Sequence, residues 1–355
     1  MNEPQHAAHS PSFDEHDDII YPDAIPFLLV HLGCFAAIWT GVNATVIWMA
    51  VGLYFLRMFA ITGGFHRYFA HKTYRTSRFF QFLLAFIGQM SAQRGMLWWA
   101  SKHRDHHRHS DQIEDSHSPR QFGLFFAHLG WIFAAKRGVA DYSNVKDLQK
   151  FPELVWLEKY CHVPAIFLAS ICYLAAGWPG LVVGFLWSTV ALYHGTFAIN
   201  SFAHTWGKQR YFTGDDSRNN FFLALITMGE GWHNNHHYYM VSTRQGFFWW
   251  EIDVTYWILK GLSKLRIVSD LHEPTATVLR GERRLSRERI EQAAELVVPL
   301  IRAGVPARDA AMRIVGNSPS AEDVASRAQA MAGPTHALVA PASAPKTPVL
   351  ADPAA

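Results

Sequence analysis

Nine histidines in four clusters carry the chemistry of this 355-residue chain. His66 and His71 lie in HRYFAH, and His103, His106 and His107 in HRDHH. His204 closes NSFAH, and His233, His236 and His237 lie in HNNHH. Imidazole binds zinc, copper, nickel and iron, and nine imidazoles exceed what one ion takes. At about 100° per residue, positions i, i+3 and i+4 share one helix face. The HRDHH and HNNHH triplets both obey this rule, so each can aim three imidazoles at one point. His66 and His71 are five apart, which requires a helix end or a local distortion. The remaining histidines read differently. His31, His162 and His194 are expected as satisfied core or surface residues. His6, His9, His16, His272 and His336 are expected as solvated, and His109, His117 and His128 as neighbours of the site or surface.

Structural zinc takes four ligands and usually recruits cysteine. Cys34, Cys161 and Cys172 form no CxxC pair, and buried free thiols are expected. Eight or nine histidines suit two ions instead. A dinuclear iron site can take two external electrons, bind dioxygen and cut an unactivated C–H bond, which side chains alone cannot do. The sequence has no HPGG-type haem segment and no GxGxxG fingerprint in a strand–helix context. No bound flavin, haem or nicotinamide is therefore expected, and the electrons must come from a separate carrier.

The elements that position these residues are apolar. Half of the residues are hydrophobic, 14% are aromatic and 17% are charged, against about 25% charged in a soluble domain. The formal net charge is only +3, and no basic–aromatic stretch suggests nucleic acid. Apolar runs at about 24–41 and 44–62 are joined by Gly41-Val42-Asn43. A second pair at about 163–177 and 180–200 is joined by Gly177-Trp178-Pro179-Gly180. These lengths predict four transmembrane helices in two hairpins. The tight connections lack Lys and Arg, whereas segments 67–160 and 204–290 are rich in both. The positive-inside rule then places both termini and all nine histidines in the cytoplasm. Residues 79–98 and 122–133 are expected as helices lying at the membrane interface, and residues 220–237 as one helix carrying the last cluster. The fold class expected is all-α integral membrane, with a cytoplasmic helical cap holding a di-metal site. Residues 1–23 are expected to form a polar disordered N-terminus, 24–275 the membrane domain, 276–316 a helical extension and 317–355 a disordered Ala/Pro-rich tail.

HxxxxH, HxxHH, NSxxH and HNxHH, in this order and around two pairs of spans, resemble the membrane acyl-CoA desaturase family of the stearoyl-CoA type. WASKHRDHH, SDxxxDSHSP at 110–119, HLGW at 128–131 and GEGWHNNHH at 229–237 add to the resemblance, which covers roughly residues 25–265. It implies two iron ions held by the nine histidines, with Asn200 reaching one through water. It places Trp99, Thr196 and Phe197 on the acyl tunnel. Phe197 stands where some relatives have Trp. Asp111, Asp115, Asp216, Arg218 and Glu230 are candidates for hydrogen-bonding the ligands. The activity implied is insertion of a cis double bond, usually at Δ9, into a long acyl chain on CoA. A phospholipid-bound chain and alkyl hydroxylation are the alternatives, and a membrane metal-transport protein is the non-enzymatic rival. The partners implied are the bilayer and a ferredoxin, rubredoxin or b-type cytochrome with its reductase, in a bacterial inner membrane.

Overall fold

The computed structural model describes residues 24–333. The expectations for residues 1–23, for His6, His9, His16 and His336, and for residues 334–355 lie outside the described residues. The chain divides into two compact units, Met1–Leu279 and Arg280–Ala355.

In the first unit an apolar helical stretch, Ile25–Thr40, turns at Gly41 (φ 81°) and continues as the helical stretch Ala44–Ala70. Asn43 starts the second arm by accepting the Val46 N–H at 3.1 Å. The next apolar stretch, Val163–His204, is broken where the sequence predicts a turn. Ala176 (φ −146°) and Gly177 (φ 60°) leave helical geometry, and only glycine takes the second conformation without strain. Leu168 and Cys172 then pack in one cluster with Phe185, so the arms fold back on each other. By length and composition, Ala44–Ala70 and Val163–His204 are long and apolar enough to cross a membrane, and Ile25–Thr40 is shorter. Leu32, Phe35, Ile38, Trp39, Trp48, Ile166 and Leu174 point outward along these stretches. Such rows need an apolar surrounding to cover them.

Buried Arg57 ties the arms together. Its guanidinium donates to Met90 O at 3.1 Å, Thr189 Oγ1 at 2.8 Å and Ser188 Oγ at 2.5 Å. Its charge is thus spread over neutral oxygens, as a buried cation requires.

The remaining helices of this unit surround the histidines. Residues 79–98 do not form one helix. Helix Arg78–Gln89 ends before Ala92 and Arg94, which both have positive φ, and Met96–His109 starts afresh. Residues 122–133 form two short turns, Leu124–His128 and Gly130–Phe133. Residues 220–237 split into Phe221–Ile226 and His233–Tyr238 around Met228, again at positive φ. A two-residue antiparallel sheet pairs Arg75–Thr76 with Val268–Ser269.

In the second unit, helices Arg287–Arg302, Ala307–Val315 and Ala321–Ala332 bury Ala294, Val297, Ile301, Ala311, Val324 and Ala328. The last helix corrects the expected start of a disordered tail at 317. Its alanines favour helix, and the dense prolines begin only at Pro334.

Candidate metal centre

The five-residue spacing of His66 and His71 is solved by a change of helix type. Residues Ala60–Ala70 form a π-helix, and the His71 N–H donates to His66 O at 3.2 Å. The wider turn brings the two imidazoles onto one side, with ring centroids 4.9 Å apart. Arg104 of HRDHH fixes this end against the next box. It donates to Phe69 O at 2.7 Å and Ala70 O at 3.1 Å, satisfying carbonyls that a helix end leaves open.

His233–Tyr238 is only six residues long and depends on its two asparagines. Asn234 Oδ1 accepts from the Arg210 and Tyr211 N–H groups at 2.7 and 2.8 Å. Asn235 donates to Gln245 O and Glu251 Oε2, both at 2.9 Å. Both side chains are fully buried, so the asparagines clamp the helix from opposite sides while the histidines face inward.

The nine imidazoles gather into two groups. His66, His71, His103, His107 and His236 form one, and His106, His204, His233 and His237 the other. Neither triplet aims at a single point, although the spacing would allow it. His103 and His107 serve the first group while His106 turns to the second. His233 and His237 serve the second while His236 turns to the first. Each helix therefore lies across both groups.

The first group is a run of Nε2 atoms: His66 to His236 at 3.0 Å, His236 to His107 at 2.8 Å, His107 to His103 at 3.0 Å and His103 to His71 at 2.8 Å. Metal–imidazole bonds are about 2.0–2.1 Å long, so adjacent donors on one ion lie about 3 Å apart. In the second group His204 Nε2 and His233 Nε2 are 3.0 Å apart. His106 Nε2 and His237 Nε2 are buried there without a hydrogen-bond partner. Unpaired buried acceptors are costly, and a cation would satisfy them. The donor set fits two metal ions.

Four ligand candidates are oriented by buried carboxylates through the other ring nitrogen. His106 Nδ1 meets Asp115 at 3.0 Å, His204 Nδ1 meets Asp111 at 2.8 Å, His237 Nδ1 meets Asp215 at 2.8 Å, and His66 Nδ1 meets Glu230 at 2.5 Å. This pairing fixes the tautomer that leaves Nε2 for a metal. Glu230 is itself held by Arg67 at 3.0 Å, and Arg67 by Asp253 at 2.9 Å.

Of the five residues the sequence offers as partners of the histidines, Asp111, Asp115 and Glu230 meet an imidazole, and the Asp216 and Arg218 side chains do not among the contacts of the described residues. The Asp216 carboxylate pairs with Arg120 at 2.6 Å, and only its backbone N–H reaches the site, donating to Asp111 at 2.8 Å. Asp215 takes its place, its carboxylate held in a bend by Thr213 Oγ1 and the Ser217 N–H. The Arg218 backbone N–H donates to Ala203 O at 2.7 Å, and the side chain meets no histidine among the contacts of the described residues. Arg67, Asp215 and Asp253 were not singled out by sequence. Asp215 could have been suspected from the Asp215-Asp216 pair alone.

Burial would raise the Asp111, Asp115 and Asp215 carboxyls, but the facing imidazoles outweigh it. Asp111 is held down at about 2, and the other two lie well below the usual carboxylate range. Burial also holds His71, His103, His107, His233 and His236 well below the usual imidazole range, with neighbouring imidazoles adding to the effect. His237 is lowered to about 4 by burial, against the pull of Asp215. These six imidazoles are therefore neutral near pH 7, the form that binds metal, whereas His204, buried but facing Asp111, is pushed up.

A cavity of about 480 Å³ adjoins the centre. Trp99, Thr196, Phe197 and Asn200 line it, as do His66 and His103 of one group and His233 of the other. Three further histidines lie behind its aromatic wall. His31 Nε2 is 3.3 Å from His194 Nε2, His194 Nδ1 is 3.0 Å from His128 Nε2, and His128 Nδ1 is 2.9 Å from Ser201 Oγ. They form a line rather than a metal cluster, which suits the satisfied role expected of His31 and His194. His162 lines the cavity itself.

Comparison with known proteins points the same way as the geometry. The family model "Fatty acid desaturase" matches residues 29–268. An acyl-CoA C20 Delta5-desaturase of Anemone leveillei is 36% identical over 232 residues, covering 64% of this chain and 74% of that protein. An sn-2 palmitoyl-lipid 9-desaturase of Nostoc sp. (strain 36) is 36% identical over 227 residues, covering 61% and 80%. An sn-1 stearoyl-lipid 9-desaturase of Anabaena variabilis is 33% identical over 252 residues, covering 69% and 91%. The matched stretch contains all nine histidines, most of both apolar pairs and most of the cavity wall, and the chain belongs to the fatty acid desaturase family.

Proposed function

We propose that this desaturase inserts one cis double bond, at Δ9, into a long saturated acyl chain carried as a CoA thioester or in a membrane lipid. The reaction would consume dioxygen and two electrons from a separate carrier. Two hydrogens leave the chain, two protons are taken up, and oxygen ends as two waters. The observation that carries this reading is a single apolar cavity lined by members of both histidine groups.

The nine histidines would hold two iron ions, with Asn200 reaching one of them through water. Bound there, the iron supplies the electron storage and oxidising power needed to remove hydrogen from an unactivated methylene. The protein's residues bind and orient. Phe27, Trp99, Tyr193 and Phe197 offer the acyl chain an aromatic wall, and each buried methylene contributes about 0.8 kcal/mol. The register of the chain is thus set by shape and depth. Gln93 Nε2 donates to Thr196 Oγ1 at 3.0 Å, closing a polar link in that wall. The buried carboxylates keep the imidazoles in the ligating tautomer.

The same reading makes the chain a four-span protein of the bacterial inner membrane, with runs 24–41, 44–62, 163–177 and 180–200 as crossings and both termini cytoplasmic. Ferredoxin, rubredoxin or a b-type cytochrome with its reductase would deliver electrons to the basic cytoplasmic face. The experiment is expression in a host that lacks unsaturated chains, followed by mass spectrometry of double-bond position in the acyl-CoA and phospholipid pools. A Δ9 alkene in either pool is expected, and the pool labelled first identifies the carrier. A hydroxylated chain, or no new product from metal-loaded protein with a competent donor, refutes the reading.

A further inference from the structure

The Met96–His109 helix brings three of the nine histidines to the centre, yet its N-terminal residue offers nothing to cap it. Gly95 has no side chain, and the first-turn N–H groups of Leu97 and Trp98 have no partner within the helix. The acceptor comes from another helix, Pro152–Lys159. Glu158 Oε2 accepts from Leu97 N at 2.8 Å and from Trp98 N at 3.3 Å, while Glu158 Oε1 accepts from the Tyr142 hydroxyl at 3.0 Å. Gly95 makes this approach possible, because a Cβ there would overlap the Glu158 carboxylate. A negative charge at this position also complements the helix dipole.

The cap lies on the cavity. Gly95, Trp98, Trp99, Tyr142 and Glu158 all line it, together with His103. Trp99 stacks on His103 with centroids 5.0 Å apart and planes 16° from parallel. Trp98 Nε1 donates to Gly138 O at 2.7 Å. The first turn therefore forms part of the cavity wall, and the last turns carry His106 and His107.

We propose that Glu158 is a positioning residue for desaturation, capping the Met96–His109 helix from a separate element and thereby fixing the wall that sets which methylene faces the metal centre. This rests on the desaturase reading. Removing the cap frays the wall while the last turns, pinned by Arg104 and Asp115, still hold His103, His106 and His107.

The test compares wild type with Glu158→Ala, Glu158→Gln and Gly95→Ala as full-length, metal-loaded protein. In Glu158→Ala we expect wild-type metal content, kcat lower by roughly tenfold, the size of a lost helix cap, and double bonds spread over adjacent positions. Glu158→Gln keeps an acceptor for the two N–H groups and should restore a single position. Gly95→Ala, which pushes the carboxylate away from the other side, should reproduce the spread. Hydrogen exchange of the 96–99 amides gives a readout independent of turnover, and we expect faster exchange in Glu158→Ala. Unchanged exchange, or an unchanged product position and kcat, overturns the proposal. So does loss of metal from Glu158→Ala and Glu158→Gln alike. If the wild type makes no alkene, the desaturase reading fails, while the exchange result still decides the cap.

Discussion

Asp215 offers the sharpest perturbation of the metal centre, because its neighbour Asp216 serves as an internal control. Asp215 Oδ2 accepts from His237 Nδ1 at 2.8 Å, and Oδ1 accepts from Thr213 Oγ1 at 2.6 Å, Ser217 N at 3.1 Å and Ser217 Oγ at 2.5 Å. Asp215→Asn keeps the shape but removes the charge, and its amide N–H₂ must face donors on one side. Disturbing such a partner of a ligating histidine costs about 10–100-fold in metal affinity, or roughly 1.4–2.8 kcal/mol. The crowding of donors around this carboxylate places the expected loss at the upper end. Asp216 is partly exposed and pairs with Arg120 at 2.6 Å, an interaction worth about 0–1 kcal/mol. Asp216→Asn should therefore weaken metal binding by less than about fivefold. The assay is metal retained per chain in detergent-solubilised protein during a chelator titration, with midpoints compared among the three proteins. Equal loss in the two variants, or wild-type retention in Asp215→Asn, would refute the assignment of His237 as an oriented ligand.

His106→Ala and His236→Ala each remove a donor from a different group, so metal content should drop below two ions per chain and alkene yield should vanish. Full metal content with wild-type yield in either variant would sink the ligand assignment. Five histidines of the site titrate well below 6.5 in the fold but near 6.5 when unfolded. The unfolded chain then binds more protons in mild acid, so the metal-free fold should lose stability as pH falls from about 6.5 toward 4. A melting temperature that rises over this range contradicts the argument. Phe197→Trp should narrow the cavity and shift preference to shorter acyl chains, by about fourfold in kcat/KM for each methylene excluded. Competition between acyl chains of different length, read by mass spectrometry, measures it.

The helix-face spacing of HRDHH and HNNHH pointed to histidines that the fold does gather into two groups able to hold metal, and the five-residue gap of HRYFAH required the distortion that the π-helix Ala60–Ala70 supplies. The division of ligands between two groups was not readable. Three residues on one face fan over enough angle to serve two points, and only the opposing helix decides which. The choice between Asp215 and Asp216 depends on the bend at Gly214-Asp215, which composition does not encode. The breaks inside 79–98 and 220–237 occur at Ala92, Arg94 and Met228, residues with no turn signature that adopt positive φ because tertiary contacts hold them there. Ala321–Ala332 was hidden by the proline-rich sequence that follows it.

The order in which the ligands leave the ribosome differs between the two histidine groups. Four members of the first group, His66, His71, His103 and His107, precede the second apolar pair, and only His236 follows it. In the second group only His106 is made early, and its other members wait for His204 and beyond. At about 5–20 residues per second, the interval between His107 and His204 lasts on the order of 5–20 s. During that time a nascent chain owns most of one metal site and almost none of the other. Both groups are nevertheless completed together, at His236 and His237, so a chain stalled before its second hairpin would present one group nearly whole and the other as a lone imidazole.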